Sequence, residues 1–202
     1  ALPICVDGKA LIEAILTAAE KQGAQIIREK ATFTKTKSNK PYIETASLKE
    51  EYESVILANS AWLPEILGPL GYKVDIRPQK GQLAQLQTNW STDDWPVIMP
   101  TGEKDIIPFL DGKILVGATH EDDMAFDLAL QSSSLEEMVL NAQEQFSECI
   151  RTSDIISGRV GTRAYTSDFA PFFGEVPGFD NVFAASGLGS TGLTAGPLLG
   201  KI

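Results

Sequence analysis

Arg163 and the run Gly187-Leu188-Gly189-Ser190-Thr191-Gly192 are the residues whose types and spacing best lend themselves to chemistry. Arg163 stands in Gly161-Thr162-Arg163-Ala164-Tyr165, at the end of a strand-like stretch. A guanidinium on a partly buried stem clamps a carboxylate through two parallel hydrogen bonds. The same residue suits a structural pair with a nearby acid such as Asp168, and spacing alone does not choose between the two. The glycine run fits GxGxxG, between the strand-like 181–185 and the small, apolar, helix-like 193–202. Backbone N–H groups at such a helix start suit an anion or a carbonyl oxygen. A strand-to-helix turn with no ligand is the alternative. A dinucleotide fold needs a further strand carrying an acid about 20 residues on, and the chain ends first. The run therefore reads either as the closing part of a site whose first half lies elsewhere, or as a tight turn only.

Other chemistries find little support. There is one histidine, His120, and no GxSxG: Leu188, not glycine, stands two residues before Ser190. No Gly-Lys-Ser/Thr follows the glycines, so no phosphate-cradling Walker loop is present. His120-Glu121-Asp122-Asp123 contains ligating types, but consecutive residues rarely all point at one ion and no second histidine exists. A solvated turn is the better reading, and no metal is expected. Cys5 and Cys149 form no CxxC pair and no disulfide framework. Reduced thiols and a cytoplasmic setting are the expectation.

The 202 residues carry a formal net charge of −10 and are 43% hydrophobic, ordinary values for a globular chain with a core. Without a basic footprint, nucleic acid is not an expected partner. No apolar stretch is long enough to span a bilayer, and no basic region with an apolar stretch opens the chain. The chain lacks a starting Met and begins as the middle of a protein would, so a fragment is expected.

The elements that would position these residues follow from periodicity. An amphipathic helix is predicted over 9–22, with Asp7 as N-cap and Gly23 ending it. Strands are predicted at 25–28, 31–37 and 42–47, the last two joined by the turn Ser38-Asn39-Lys40-Pro41. The apolar run 52–58 suggests a strand buried on both faces, and 61–67 a short helix ending near Gly68-Pro69. Strand-like runs at 74–76, 81–87, 97–100, 106–110 and 113–118 predict a mainly antiparallel sheet. Asp111-Gly112 marks a hairpin between the last two. A helix over 135–150, capped by Ser133 or Ser134, and a strand over 155–164 complete the reading.

Four stretches together resemble the FAD-dependent amino acid oxidase family of glycine oxidase, sarcosine oxidase and D-amino acid oxidase and dehydrogenase. Val6-Asp7-Gly8, the helix and Gly23-Ala24 resemble the family's VDP-helix-GA segment. Val55-Ile56-Leu57-Ala58-Asn59-Ser60-Ala61-Trp62 resembles its VVLAAGAWS strand. Arg77-Pro78-Gln79-Lys80-Gly81-Gln82 and Leu115-Val116-Gly117-Ala118-Thr119-His120-Glu121 resemble its RPxxGQ and LVGATxE elements. The stretch from Gly161-Thr162-Arg163 through Ser167-Asp168, Pro171, Gly174 and Pro177 to 185–194 is similar to its C-terminal signature and is the most specific part.

The resemblance implies an α/β (α+β) fold: part of an FAD-binding domain at 1–72 and 158–202, and a mainly antiparallel-sheet substrate domain with helices at 73–157. It implies FAD as cofactor, an amino acid or amine as substrate, and oxidation by hydride transfer to the flavin. It places Gly187, Leu188, Gly189, Ser190, Thr191, Gly192, Leu193 and Thr194 against the flavin, with Gly161 at the strand before it. Ala58 and Trp62 fall in a loop near the cofactor, Ala31 on the adenine side, and Arg163 at the substrate carboxylate. The family's N-terminal glycine-rich segment would precede Ala1, so the isolated piece is expected to be inactive. Two positions depart from the pattern: Ser60 replaces a family glycine, and Leu188 stands where many relatives have histidine. A non-catalytic ligand-binding or structural domain is the alternative reading.

Overall fold

In the computed structural model, residues 6–36, 40–101 and 104–201 are described. They form two compact units, one of 7–77 with 163–202, the other of 78–162 with Val6.

The first unit opens with α1 (Gly8–Lys21). The Asp7 carboxylate accepts from the amides of Lys9 and Ala10 at 2.9 and 3.1 Å, satisfying two of the donors that a helix start leaves open. The helix stops at Gly23, whose φ of +96° reverses the chain. β1 (Thr32–Lys35), β2 (Pro41–Glu44) and β3 (Lys49–Glu51) make an antiparallel sheet in that order. A second sheet joins β4 (Val55–Leu57) in parallel to β10 (Val182–Ser186), which pairs antiparallel with β9 (Phe172–Glu175). A 3-10 turn (Ser60–Trp62) leads from β4 into α2 (Leu63–Leu67), and another (Gly189–Thr191) leads from β10 into α4 (Gly192–Leu199). Leu57, Leu63, Leu67, Val176, Phe179, Val182 and Ala184 form the core. Their burial fixes where the two parallel strands end, and hence where their loops emerge.

The second unit is built on the sheet β6 (Asp105–Pro108), β7 (Lys113–Gly117), β5 (Arg77–Gln87) and β8 (Ile155–Tyr165), in that order. α3 (Ser132–Gln145) lays Leu135, Met138, Val139 and Ala142 on Ala84, Leu86, Ile106, Ile114 and Val116. The β6–β7 hairpin turns at Asp111 and Gly112, with φ of +60° and +73°, the left-handed pair that Asp-Gly favours.

The fold class is the expected α/β mixture with an antiparallel sheet, but several elements differ from the sequence reading. Neither 25–28 nor 74–76 forms a strand. Around 97–100 there is only the isolated bridge Ile98–Ile106. β4 is shorter than 52–58 and is not buried on both faces: Ile56 is 71% exposed, because no described element packs on the face its side chain points to. α3 starts and ends earlier than 135–150. Its N-cap is Gln131, which makes no side-chain capping bond, so neither Ser133 nor Ser134 caps it; both lie within the helix. β3 and β9 are short strands with no strong alternation to announce them. The helix after Leu67 continues as a 3-10 turn through the Gly68-Pro69 pair and ends at Gly71, φ +92°. Cys5 and Ser38-Asn39 of the predicted turn lie outside the described residues.

Candidate functional site

Three segments of the first unit meet at the carboxyl ends of the parallel strands β4 and β10. Loops emerging there are where open α/β sheets bind ligands. After β4 the chain turns sharply at Ser60, whose φ is +52°. The Ser186 hydroxyl, buried at the end of β10, donates to the Ser60 carbonyl at 2.9 Å. After β10 the chain turns at Gly187 (φ +79°) and Gly189 (φ +52°). A Cβ on Gly187 would sit 3.0 Å from Thr166 Cγ2 and 3.3 Å from the Ala170 carbonyl. Only a glycine gives both the left-handed backbone and that closeness. One on Gly189 would lie 3.9 Å from the Ala164 carbonyl. The turn is thus packed along 164–171, the segment that begins beside Arg163.

The second turn closes on itself. The Thr191 amide and hydroxyl both donate to the Leu188 carbonyl, at 2.9 and 2.7 Å. The first amides of the helical run that follows have no acceptor within the run itself, and the helix dipole adds positive character there. Ser190, Thr191, Leu193 and Thr194 are exposed, while Gly187 is buried. The side chains after Gly189 thus face outward, while the turn itself is packed at Gly187.

Arg163 lies near the end of β8, half-buried, next to the buried Ala164. Burial lowers its pKa from the ordinary arginine value, and a guanidinium remains charged under such a shift. Its charge is thereby less screened than on an open surface. The segment beyond it is tightly turned. Asp168 accepts from the Ala170 amide at 3.1 Å, and the Thr166 hydroxyl donates to the Ala170 carbonyl at 2.9 Å. The Thr166 side chain and the Ala170 amide beside it hold the Asp168 carboxyl below its usual range. The Asp75 carboxyl accepts from both the hydroxyl and the amide of Ser167 and is likewise lowered.

Of the predicted site residues, the structure gathers Ala58 and Trp62 with the first loop, and Gly187, Leu188, Gly189, Ser190, Thr191, Gly192, Leu193 and Thr194 with the second. Arg163 sits at the segment against which the second loop packs. Gly161 lies two residues earlier on β8, exposed, with open space where a Cβ would be. Ala31 stands apart, exposed just before β1, which belongs to the other sheet of that unit. Elsewhere in this unit, a groove of about 500 Å³ is lined by Tyr72, Lys73, Asp75, Asp168, Phe172 and Glu175 among others. It contains none of the predicted site residues.

The second unit holds a buried polar network that sequence reasoning missed. Lys80 on β5 is completely buried, and its ammonium lies 2.9 Å from Asp127. The equally buried Gln82 donates to Glu121 at 2.8 Å and accepts from the Gln131 amide at 2.8 Å. Thr119 also donates to Glu121, at 2.6 Å. The Glu121 side of the acidic stretch is therefore pinned to β5 rather than simply solvated, with backbone bonds both ways between Lys80 and Glu121. Burial pushes the Glu121 carboxyl up, but the Thr119 and Gln82 hydrogen bonds and the Lys80 charge outweigh it and hold it below its usual value. The signal was in the register: Lys80, Gln82, Ala84 and Leu86 share one strand face, so two polar residues continue an apolar, core-facing series. No cluster of three metal-ligating side chains occurs among the described residues. No helix among them is long and apolar enough to cross a membrane.

Residues 4–202 match the family described as FAD dependent oxidoreductase. The chain is 35% identical over 196 residues to an uncharacterized oxidoreductase, YurR, of Bacillus subtilis (strain 168), covering 96% of this chain and 53% of that protein. It is 30% identical over 145 residues to a glycine oxidase of Pseudomonas aeruginosa, covering 72% of this chain and 39% of that protein. Among solved structures, iminodiacetate oxidase from Chelativorans sp. BNC1 superimposes with a TM-score of 0.87 at 29% identity, over 97% of this chain and 53% of that one. Glycine oxidase from Geobacillus kaustophilus shares the fold with a TM-score of 0.85, over 95% of this chain and 51% of that one. The chain spans about half the length of these relatives, or less.

Proposed function

Because the chain belongs to the FAD dependent oxidoreductase family, we propose that it is the flavin-facing and carboxylate-binding part of an enzyme oxidising an amino acid or a secondary amine. The observation that carries this reading is the meeting of the Ser60 turn, the Gly187–Gly189 turn and the segment after Arg163 at the ends of β4 and β10. The relatives named glycine oxidase and iminodiacetate oxidase support the substrate class: both names denote small amino or imino acids.

FAD, if bound, would supply a two-electron acceptor for oxidation at the carbon bearing the amine. The chain's own residues would do the rest by placement. The amides opening the helical run after Leu188, and the backbone of the 58–62 loop with Trp62, would hold the cofactor. Their dipoles would favour negative charge growing there. Ala31 would contact the adenine side. Arg163 would take the substrate carboxylate in its planar fork, fixing the orientation of the reacting C–H bond. Gly161 keeps the approach to that strand free of side chain. In this reading 7–77 with 163–202 belongs to the FAD-binding domain, and the sheet unit 78–162 is the substrate domain. A cytoplasmic setting and an amino acid catabolic role belong to the same proposal.

The test is made on the whole protein that carries this chain. Purified, it should retain FAD, and anaerobic addition of a small amino or imino acid should bleach the flavin. A protein that neither retains nor rebinds FAD would contradict the reading.

A further inference from the structure

Ser60 combines three observations that the family assignment does not require. Its backbone is left-handed, φ +52°, a conformation that L-residues with a Cβ avoid and glycine adopts freely. Its carbonyl is held by the buried Ser186 hydroxyl at 2.9 Å, so the surrounding structure fixes the turn whatever side chain stands there. Its own hydroxyl makes no hydrogen bond to another described residue, and the half-buried side chain leaves it open to a further partner. The side chain therefore works against the backbone preference and contributes no bond to the chain's own fold. It stands where β4 ends, tied to the end of β10, beside two other left-handed residues, Gly187 and Gly189. The carboxyl ends of adjacent parallel strands are where a ligand sits in such sheets.

We propose that the Ser60 hydroxyl is a hydrogen-bond donor to bound FAD, a contact that glycine at this position could not make. The inference rests on the flavin reading above and adds one residue to it. It makes Ser60 a cofactor-binding residue whose side chain, and not only its backbone, is used.

The experiment is FAD titration of the apo form of the whole protein, followed by flavin fluorescence, for wild type, Ser60→Gly and Ser60→Ala. Thermal unfolding of each apo protein is measured alongside. The net worth of one such hydrogen bond predicts that both variants bind FAD about five- to tenfold more weakly. Apo Ser60→Gly should melt no lower than wild type, because the left-handed turn is relieved. That combination separates loss of a contact from loss of folding. FAD affinity within twofold of wild type in Ser60→Gly overturns the inference and leaves the flavin reading standing. Wild-type affinity in Ser60→Ala alone also overturns it, since that variant lacks only the hydroxyl. Absence of FAD binding by the wild type overturns both.

Discussion

The Ser186 hydroxyl donates to the Ser60 carbonyl at 2.9 Å, joining the end of one parallel strand to the turn that follows its neighbour. Ser186 is buried, so the bond operates away from water, where a lost partner is felt most. Through it, the loop from β4 and the glycine turn from β10 are held as one surface.

Ser186→Ala removes the donor and leaves the Ser60 carbonyl to find another. The whole protein should lose about 1 kcal/mol of stability, measurable as a lower denaturant midpoint with an unchanged slope. A midpoint equal to wild type would mean that the bond is not holding the loop.

The two turn glycines and Gly161 make a contrasting set. Gly187→Ala meets both an unfavourable φ of +79° and a 3.0 Å approach to Thr166 Cγ2, and should destabilise by roughly 1–3 kcal/mol. Gly161→Ala meets neither and should stay within about 0.5 kcal/mol of wild type. Paired thermal melts of the two variants check this directly. Equal effects would remove the argument that close backbone packing selects Gly187.

The buried ion pair makes an asymmetric prediction. Lys80 is fully buried while the Asp127 side chain is 41% exposed. Lys80→Met leaves a carboxylate that water can still reach. Asp127→Asn leaves a buried ammonium without that partner, the costlier outcome. Asp127→Asn should therefore destabilise more than Lys80→Met, and the double variant should recover part of the loss. A double-mutant cycle reports it.

Acid should weaken the same clamp. The hydrogen bond from Lys80 holds the Asp127 carboxyl below its usual value, and Glu121 is lowered too. A carboxyl lowered in the folded state binds fewer protons there than in the unfolded chain. Its contribution is then present above the unfolded value, near pH 4, and is lost as pH falls through the folded one. Stability should decline below about pH 5, and Asp127→Asn should flatten that decline. An identical acid profile in the variant would show that the pair is not responsible.

Much of the local structure was legible because its signals are local. Asp7, Gly23 and the Asp111-Gly112 turn each act through their own backbone and appear where expected. The parallel pairing of β4 with β10 was not legible, because it joins residues far apart in the chain through apolar runs with no alternation of their own. Ile56 was misjudged because its exposure depends on what packs over that face of the sheet, which an apolar run does not declare. The early start of α3 after Gln131, whose amide donates to the Gln82 side chain, depends on a residue on another element. For the site, Arg163 and the glycine run declared themselves by residue type. Ser60 and Lys80 became visible only once φ and burial were known.

Arg163 tests the account most directly. In anaerobic flavin-reduction assays on the whole protein, Arg163→Ala should retain FAD and its spectrum. Its KM for the small amino or imino acid that bleaches the wild type should rise on the order of a hundredfold, the loss of a bidentate charged contact. Arg163→Lys should recover only part of this. An unchanged KM in Arg163→Ala, or equal flavin bleaching of the wild type by an amine lacking the carboxylate, would contradict the account.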